Sequence, residues 1–185
     1  GRQIKLRGSN TMGATERAVL KKDWQQVIDD ILLAKICRMN FWRITQRPVQ
    51  PEVYDHCDRL GLMTQTDLPL FAVLRRNQFC EAVRQACEME MLIRSHPCNI
   101  LISYINEPFR NGRGKPHRNL VRSELESFFE AADRAVHLAN PDRAIKPVDG
   151  DYDPPAYGLP DNHCYTGWYC GHEVDLGKLH KGFWQ

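Results

Sequence analysis

The 185-residue sequence lacks several features that mark large classes of proteins. No apolar run approaches the roughly 20 residues of a membrane-spanning helix, so no membrane partner is expected. The first residues, GRQIKLRG, contain no apolar segment of the kind that a signal peptide needs. The 25 Lys and Arg nearly balance the 23 Asp and Glu, which leaves a net charge of +2. This balance does not indicate a nucleic-acid partner.

The seven cysteines are odd in number and include no CxxC pair. Four of them fall on the apolar faces of helix patterns, where a free thiol packs as a small hydrophobic side chain. These are Cys37, Cys57, Cys80 and Cys87. We therefore expect no disulfide framework, and a reducing compartment such as the cytoplasm is favoured.

A second group of potential metal ligands lies near the end of the sequence. It comprises His163, Cys164, Cys170 and His172. Their spacings match no common zinc module, so we expect neither a metal nor another cofactor.

Strand-like and helix-like patterns alternate along the chain. The strand patterns cover 3–7, 39–45, 62–67, the apolar part of 99–109, 144–148 and 162–166. The helix patterns cover 22–38, 51–61, 78–95 and 120–139. Alternation of this kind predicts a parallel sheet whose strands are joined by right-handed helical crossovers.

On each predicted helix, apolar side chains recur at helical spacing and should face the core. In the first two helices they are Trp24, Val27, Ile28, Ile31, Leu32, Ile36, Val53, Tyr54, Cys57 and Leu60. In the last two they are Phe79, Ala82, Val83, Ala86, Cys87, Met91, Leu125, Phe128, Phe129, Ala132 and Val136.

Two architectures fit this alternation: an open doubly wound sheet and a closed barrel. The stretch after the first strand, RGSNTMGATE, has no G-x-G-x-x-G phosphate loop. Polar side chains instead follow several strands, as at the C-terminal face of a (β/α)8 TIM barrel. They are Asn10, Arg43, Asp67, Asn106, Glu107, Asp149 and His163. Since a complete barrel needs about 250 residues, we expect one domain over 1–185 with the first six βα units, and without strands seven and eight.

Glu107 follows the apolar stretch NILISYIN directly and precedes Pro108. A carboxyl group at the end of a buried parallel strand lies at the rim of a cavity, where it is partly desolvated. Desolvation raises the pKa of a carboxyl group, and a general acid needs a raised pKa to hold its proton near neutral pH. The neighbouring Asn106 offers an amide to a substrate hydroxyl.

Several stretches resemble glycoside hydrolase family 2, which contains β-galactosidases, β-glucuronidases and β-mannosidases. They are IKLRGSN, DWQQVIDDILLAKICRMNFWRI, YDHCDRLGLMTQTDLP and RSHPCNILISYINEP. The resemblance implies a retaining exo-β-glycosidase that acts on a terminal β-linked sugar. Among such substrates we expect a β-galactoside. It also implies an oligosaccharide or glycoside as the binding partner, and β-sandwich domains upstream in the same polypeptide.

The resemblance further implies roles for individual residues. Glu107 would be the acid/base, and Asn106 would bind the 2-hydroxyl of the sugar. Arg43 would support the carboxylate of the nucleophile, and Tyr165 would hydrogen-bond that same carboxylate. Three further side chains would line the sugar pocket: His163, Trp168 and Asp67.

The chain departs from the family pattern in three places. A retaining enzyme needs a second carboxylate about 5–5.5 Å from the first, and the family has it at the end of strand seven. Because Glu173 is the only glutamate after the sixth predicted strand and lies in a loop-like segment, we expect the nucleophile beyond Gln185 and no activity from these residues alone. The family's sHYP and NRHe segments are here TQRPVQ and SNTMGATE, which leaves the identity of the sugar open.

Other interpretations stay open at this point. Arg43 could simply anchor a buried ion pair, and the basic stretch 110–118 could be a solvated loop rather than a grip for a uronic acid. The protein could be a carbohydrate-binding barrel without hydrolytic activity. An aldolase would need a lysine at a strand end, where only Lys146 comes near.

Overall fold

The computed structural model describes residues 3–71, 73–108, 120–150 and 163. The strands are β1 (Gly8–Asn10), β2 (Phe41–Ile44), β3 (Met63–Asp67), β4 (Asn99–Ser103), β5 (Ile105–Asn106) and β6 (Val148–Asp149). The helices are α1 (Ala14–Leu20), α2 (Trp24–Ile36), α3 (Pro51–Leu60), α4 (Phe79–Ile93) and α5 (Arg122–Ala139). A short 3₁₀ helix over Arg76–Gln78 precedes α4.

All of these strands pair in parallel. The first four form one sheet in the order β1-β2-β3-β4, and β5 pairs with β6. One residue separates β4 from β5, and a parallel bridge joins Ile102 to Ile145, so β4 and β5 together act as a single barrel strand between β3 and β6. Strands that pair in chain order with helices between them are the arrangement predicted for the first part of a (β/α)8 barrel.

The predicted first strand, 3–7, is placed too early, because pairing extends from Gly8 to Asn10. Gly8 permits this pairing, since a Cβ at that position would overlap the carbonyl of Phe41. The helix α1 has no apolar stripe that predicts it, because it is only seven residues long and two of its four buried residues, Thr15 and Glu16, are polar. The predicted fifth strand is confirmed near Ile145 and in β6, whereas 162–166 lies outside the described residues except for His163.

The predicted apolar stripes are confirmed for α5 and, with one exception, for α3. In α5 all five predicted side chains are buried, and in α3 only Leu60 is partly exposed. In α2, however, Leu32 is 41% and Ile36 78% exposed, while Ala34 takes a core position. The buried face of α2 consists of Val27, Ile31 and Ala34.

In α4 the prediction for Met91 is wrong, because it is 49% exposed while Glu90 is fully buried. Arg143 explains the burial: its Nε and Nη2 atoms donate to the two oxygens of Glu90 at 2.8 and 3.0 Å. The same guanidinium also donates to the carbonyl of Asn99 at the start of β4. A paired, hydrogen-bonded carboxylate can be buried, so a pattern that assigns every charge to solvent misplaces this face.

The five cysteines in the described part are free thiols. The core assignment is correct for Cys57, which is buried, and wrong for Cys37 and Cys80, which are exposed; Cys87 is intermediate. Among the described residues, no helix is both long and apolar enough to cross a lipid bilayer.

Candidate active site

The C-terminal ends of four neighbouring strands bring most of the predicted site residues together. Arg43 is the penultimate residue of β2, Asp67 ends β3, Asn106 ends β5 with Glu107 directly after it, and Asp149 ends β6. His163 reaches the same place. Tyr165 and Trp168, also predicted here, lie outside the described residues.

Arg43 is the centre of a buried network. Its residue exposure is 6%, and its guanidinium contacts three partners. The contacts are Nη2 to Asp67 Oδ2 at 2.6 Å, Nε to Asp149 Oδ2 at 2.7 Å, and Nη2 to Asn106 Oδ1 at 2.7 Å. The planar fork of arginine suits such simultaneous contacts. Arg43 therefore holds the ends of β2, β3, β5 and β6 in fixed relative positions.

Asp67 is occupied on both oxygens. Besides Arg43, its Oδ2 accepts from the backbone N–H of Gln46 at 3.1 Å, and its Oδ1 accepts from Gln65 Nε2 at 2.9 Å. Gln65 Nε2 also donates to Asp149, which links the two carboxylates. With a residue exposure of 2%, Asp67 fixes the orientation of Arg43, and its contact with a sugar stays a prediction.

Two buried carboxylates share the one guanidinium of Arg43, and their pKa values are driven apart. Burial raises the pKa of Asp67 above its usual value despite the favourable charge of Arg43, and the neighbouring Asp149 adds to the rise. Burial also acts to raise the pKa of Asp149, but the hydrogen bond from His163 and the charges of Arg43 and Lys146 outweigh it and hold that pKa well below the usual range. Of the two carboxylates, Asp149 is therefore the one whose charged form the site favours more strongly.

Glu107 has an unusual backbone conformation. Its φ is +48°, in the left-handed region that residues other than glycine seldom adopt, and Pro108 follows it. Its backbone N–H donates to the carbonyl of Asp149 at 3.0 Å, which holds the turn in this conformation. Its side chain is 22% exposed. Strain of this kind is found mostly at functional sites, where the surrounding structure enforces it.

His163 connects Glu107 to the buried network. Its Nδ1 lies 2.5 Å from Glu107 Oε1 and its Nε2 lies 3.1 Å from Asp149 Oδ1. Gly150 makes room for the ring, since a Cβ there would lie 2.7 Å from His163 Nδ1. Because both ring nitrogens face carboxylates, the doubly protonated imidazolium can donate to both partners.

The pKa of His163 is raised above its usual value. The hydrogen bond to Asp149 is the largest cause, burial opposes it, and the contact with Glu107 adds to the rise. Because the folded-state pKa exceeds the unfolded one, the contact stabilises the fold fully below about pH 6.5. This stabilisation is lost as the pH rises through the folded-state pKa.

We expect an NMR titration of the His163 ring to give a midpoint above about 6.5. Asp149→Asn should lower that midpoint, because it removes the main partner of the imidazolium. Asp142→Asn, at an exposed position after α5, is the matched control and should leave it unchanged. A midpoint at or below 6.5, or one insensitive to Asp149→Asn, would contradict this assignment.

Sequence reasoning noted Asp149 as a strand-end residue but gave it no role, and it missed Gln65 altogether. Gln65 and Asp67 are two residues apart in β3, so both project from one face of the strand. Gln65 also lies opposite Arg43 in the β2–β3 pairing. This i, i+2 spacing of polar residues in an otherwise buried strand was the available signal.

The parallel strand order defines a partial (β/α)8 barrel, and the polar cluster at the C-terminal strand ends is its candidate site. Residues 1–127 match the family described as glycosyl hydrolases family 2, TIM barrel domain. The match covers well over half of the chain, and the chain belongs to this family. The sequence-based expectation of family and fold is therefore confirmed.

Solved structures with the same fold include several β-glucuronidases. The Parabacteroides merdae enzyme is 18% identical, with a TM-score of 0.56 over 65% of this chain and 15% of its own. An FMN-binding β-glucuronidase from Faecalibacterium prausnitzii L2-6 is 18% identical, with a TM-score of 0.65 over 86% and 25%. The Ruminococcus gnavus β-glucuronidase in complex with D-glucuronic acid is 20% identical, with a TM-score of 0.57 over 67% and 20%.

The chain thus spans between about one sixth and one quarter of the length of these solved structures. At these identities the likeness concerns the fold. A search of curated proteins found no match.

Proposed function

We propose that the chain carries the acid/base half of the active site of a retaining β-glycosidase, with Glu107 as the acid/base. The observation that supports this most is the enforced position of Glu107, which is strained, partly buried, next to Asn106 and within hydrogen-bond distance of His163. Such a carboxyl group stands at the mouth of the barrel, where TIM-barrel enzymes bind their substrates.

In the proposed reaction, protonated Glu107 gives its proton to the glycosidic oxygen as the bond to the leaving group breaks. A carboxylate nucleophile bonds to the anomeric carbon; the family resemblance puts it at the end of a seventh strand, outside residues 1–185. Ionised Glu107 then takes a proton from the water that displaces the nucleophile. His163 can donate a hydrogen bond to Oε1 of Glu107 in this ionised form.

Asn106 is oriented for a substrate contact by Arg43. Its Oδ1 accepts from Arg43 Nη2 at 2.7 Å, which directs the Nδ2 amide toward the other side. This amide is the group that we assign to the 2-hydroxyl of the sugar, a contact that strengthens in the transition state. The proposed role of Arg43 as support for the nucleophile comes in addition to its contacts with Asp67 and Asp149.

Two β-linked sugars are candidates for the substrate. The sequence-based expectation is a β-galactoside, whereas the three solved structures described above are β-glucuronidases. The basic side chains Arg110, Arg113, Lys115 and Arg118 would suit the carboxylate of a glucuronide. The alternative function, a carbohydrate-binding barrel, would use the same pocket without a nucleophile.

The test is hydrolysis of nitrophenyl β-galactoside, β-glucuronide and β-mannoside by the full-length protein that contains this chain. We expect turnover of at least one, and NMR should show that the sugar is first released with its β configuration retained. Binding of a sugar without hydrolysis would favour the carbohydrate-binding alternative. Release of the α anomer first would contradict the retaining mechanism.

A further inference from the structure

A group of potential metal ligands lies at the opposite end of the barrel strands from the candidate active site. It consists of Asp55 and Asp58 on α3 and His96 in the turn between α4 and β4. The end of α3 leads into the start of β3, and the turn leads into the start of β4, so the group lies at the N-terminal ends of these strands. The proposed acid/base chemistry uses none of the three residues.

The three side chains are close enough to share one ion. Each offers one oxygen or nitrogen atom, and these atoms all lie within 4.8 Å of one another. His96 Nδ1 is 2.8 Å from Asp58 Oδ2 and 3.7 Å from Asp55 Oδ1. Ligand atoms around a tetrahedral zinc ion are about 3.3–3.6 Å apart, because Zn–N and Zn–O bonds are about 2.0–2.2 Å long. Small side-chain rotations therefore suffice to bring all three onto one ion.

The position of His96 is fixed by its surroundings. Its side chain is only 10% exposed, and its ring packs against that of Tyr54 with the centroids 5.3 Å apart. Its backbone N–H donates to the carbonyl of Ile93, and its carbonyl accepts from the N–H of Asn99, both at 3.0 Å. The ring is thus held with Nδ1 toward the two carboxylates.

Asp58 is also oriented in advance. Its Oδ1 accepts from the backbone N–H of Cys98 at 2.7 Å, which leaves Oδ2 directed at His96. Contacts of this kind to a ligand's second atom hold the ligands of metal sites in place. The side chain of Asp55 is 50% exposed and gives an ion a path from solvent.

The charges of the group favour a divalent cation. Within the described part of the chain, neither Asp55 nor Asp58 pairs with a lysine or an arginine, and each has His96 as its ion-pair partner. Two carboxylates beside one imidazole leave a net negative charge even when the ring is protonated. An imidazole nitrogen among the ligands suits zinc, whereas magnesium and calcium prefer oxygen ligands alone.

We propose that Asp55, Asp58 and His96 bind one zinc ion, with water in the fourth position. The ion replaces the hydrogen bond between His96 Nδ1 and Asp58, and the proton of the neutral ring then lies on Nε2. The ion joins α3 to the start of β4 and stabilises the barrel without contact with the proposed substrate. The proposal does not depend on the glycosidase function.

No sequence spacing indicates this site, because 38 positions separate Asp58 from His96. The expectation of no metal came from the spacing of histidines and cysteines near the end of the chain and does not concern these residues.

The experiment is a calorimetric titration of zinc chloride into the full-length protein after treatment with a chelator. We expect Asp55→Asn to weaken zinc binding at least about tenfold, since loss of a contact to a metal ligand already costs about 10- to 100-fold. Asp55→Asn suits the test because the side chain is half exposed. Asp29→Asn, at an exposed position on α2, is the matched control and should leave the affinity unchanged. Equal affinity in Asp55→Asn and the unsubstituted protein would overturn the proposal.

Two further measurements separate zinc binding from a merely structural role of these side chains. Zinc should raise the melting temperature of the unsubstituted protein but not that of Asp55→Asn, because a ligand stabilises only a fold that binds it. Cobalt in place of zinc should give the visible absorption of a four-coordinate ion, since the spectrum depends on coordination geometry. Absorption that persists in Asp55→Asn, or that calcium removes as readily as zinc does, would overturn the proposal.

Discussion

Glu107→Gln is expected to lower kcat/KM for alkyl glycosides and disaccharides by at least about a hundredfold, and to lower kcat/KM for dinitrophenyl glycosides much less. The reason is that a poor leaving group needs a proton as the bond breaks, and a positioned general acid contributes about 10²- to 10⁴-fold. Dinitrophenolate leaves without protonation. The measurement is kcat/KM for a series of aryl and alkyl glycosides with the full-length variant.

The matched control for this series is Glu130→Gln, at an exposed position on α5, which should leave every rate unchanged. A plot of log kcat/KM against the pKa of the leaving group should be steeper for Glu107→Gln than for the unsubstituted protein. Equal loss on activated and unactivated substrates would argue against the acid role. It would indicate that Glu107 acts through the shape of the site.

Arg43→Met is expected to destabilise the barrel by about 3–5 kcal/mol, the cost of leaving buried carboxylates without their cation. Arg43 is the partner of Asp67 and Asp149, whose side chains are 3% and 6% exposed. Thermal and urea unfolding of the full-length protein measure the loss. Arg84→Met removes an exposed ion-paired arginine on α4 and should leave the stability nearly unchanged, because a solvent-exposed ion pair contributes little.

The cause of the loss can be isolated by neutralising the carboxylates as well. Adding Asp67→Asn and Asp149→Asn to Arg43→Met should restore part of the stability, because no buried charge is then left uncompensated. If the triple variant is less stable than Arg43→Met alone, charge compensation is not what Arg43 provides. Its contribution would then come from packing and from its hydrogen bond to Asn106.

Much of this architecture could be predicted from local patterns. The apolar side chains of α5 recur at helical spacing and β4 is a mostly apolar run, so each local pattern predicts burial. The site cluster could also be predicted, since the carboxyl ends of parallel strands meet at one face of a barrel. Asn106 and Glu107 could be assigned to the site once the end of the predicted strand was known.

What could not be predicted depends on contacts between residues far apart in the sequence. The burial of Glu90 requires Arg143, which is 53 positions away, and the raised pKa of His163 requires Asp149. The left-handed backbone of Glu107 likewise depends on a hydrogen bond to Asp149. Hydrophobic periodicity does not indicate such contacts, because each partner, taken alone in the sequence, is an ordinary polar residue.

The role of Glu107 is tested most directly by azide rescue of Glu107→Ala in the full-length protein. With a dinitrophenyl glycoside the glycosyl-enzyme still forms, but no base remains to activate water, so the second step is slow. Azide is an anionic nucleophile, so it can attack the glycosyl-enzyme without a general base. The account predicts that azide restores turnover and yields the β-glycosyl azide. No rescue, or an α-glycosyl azide, would contradict it.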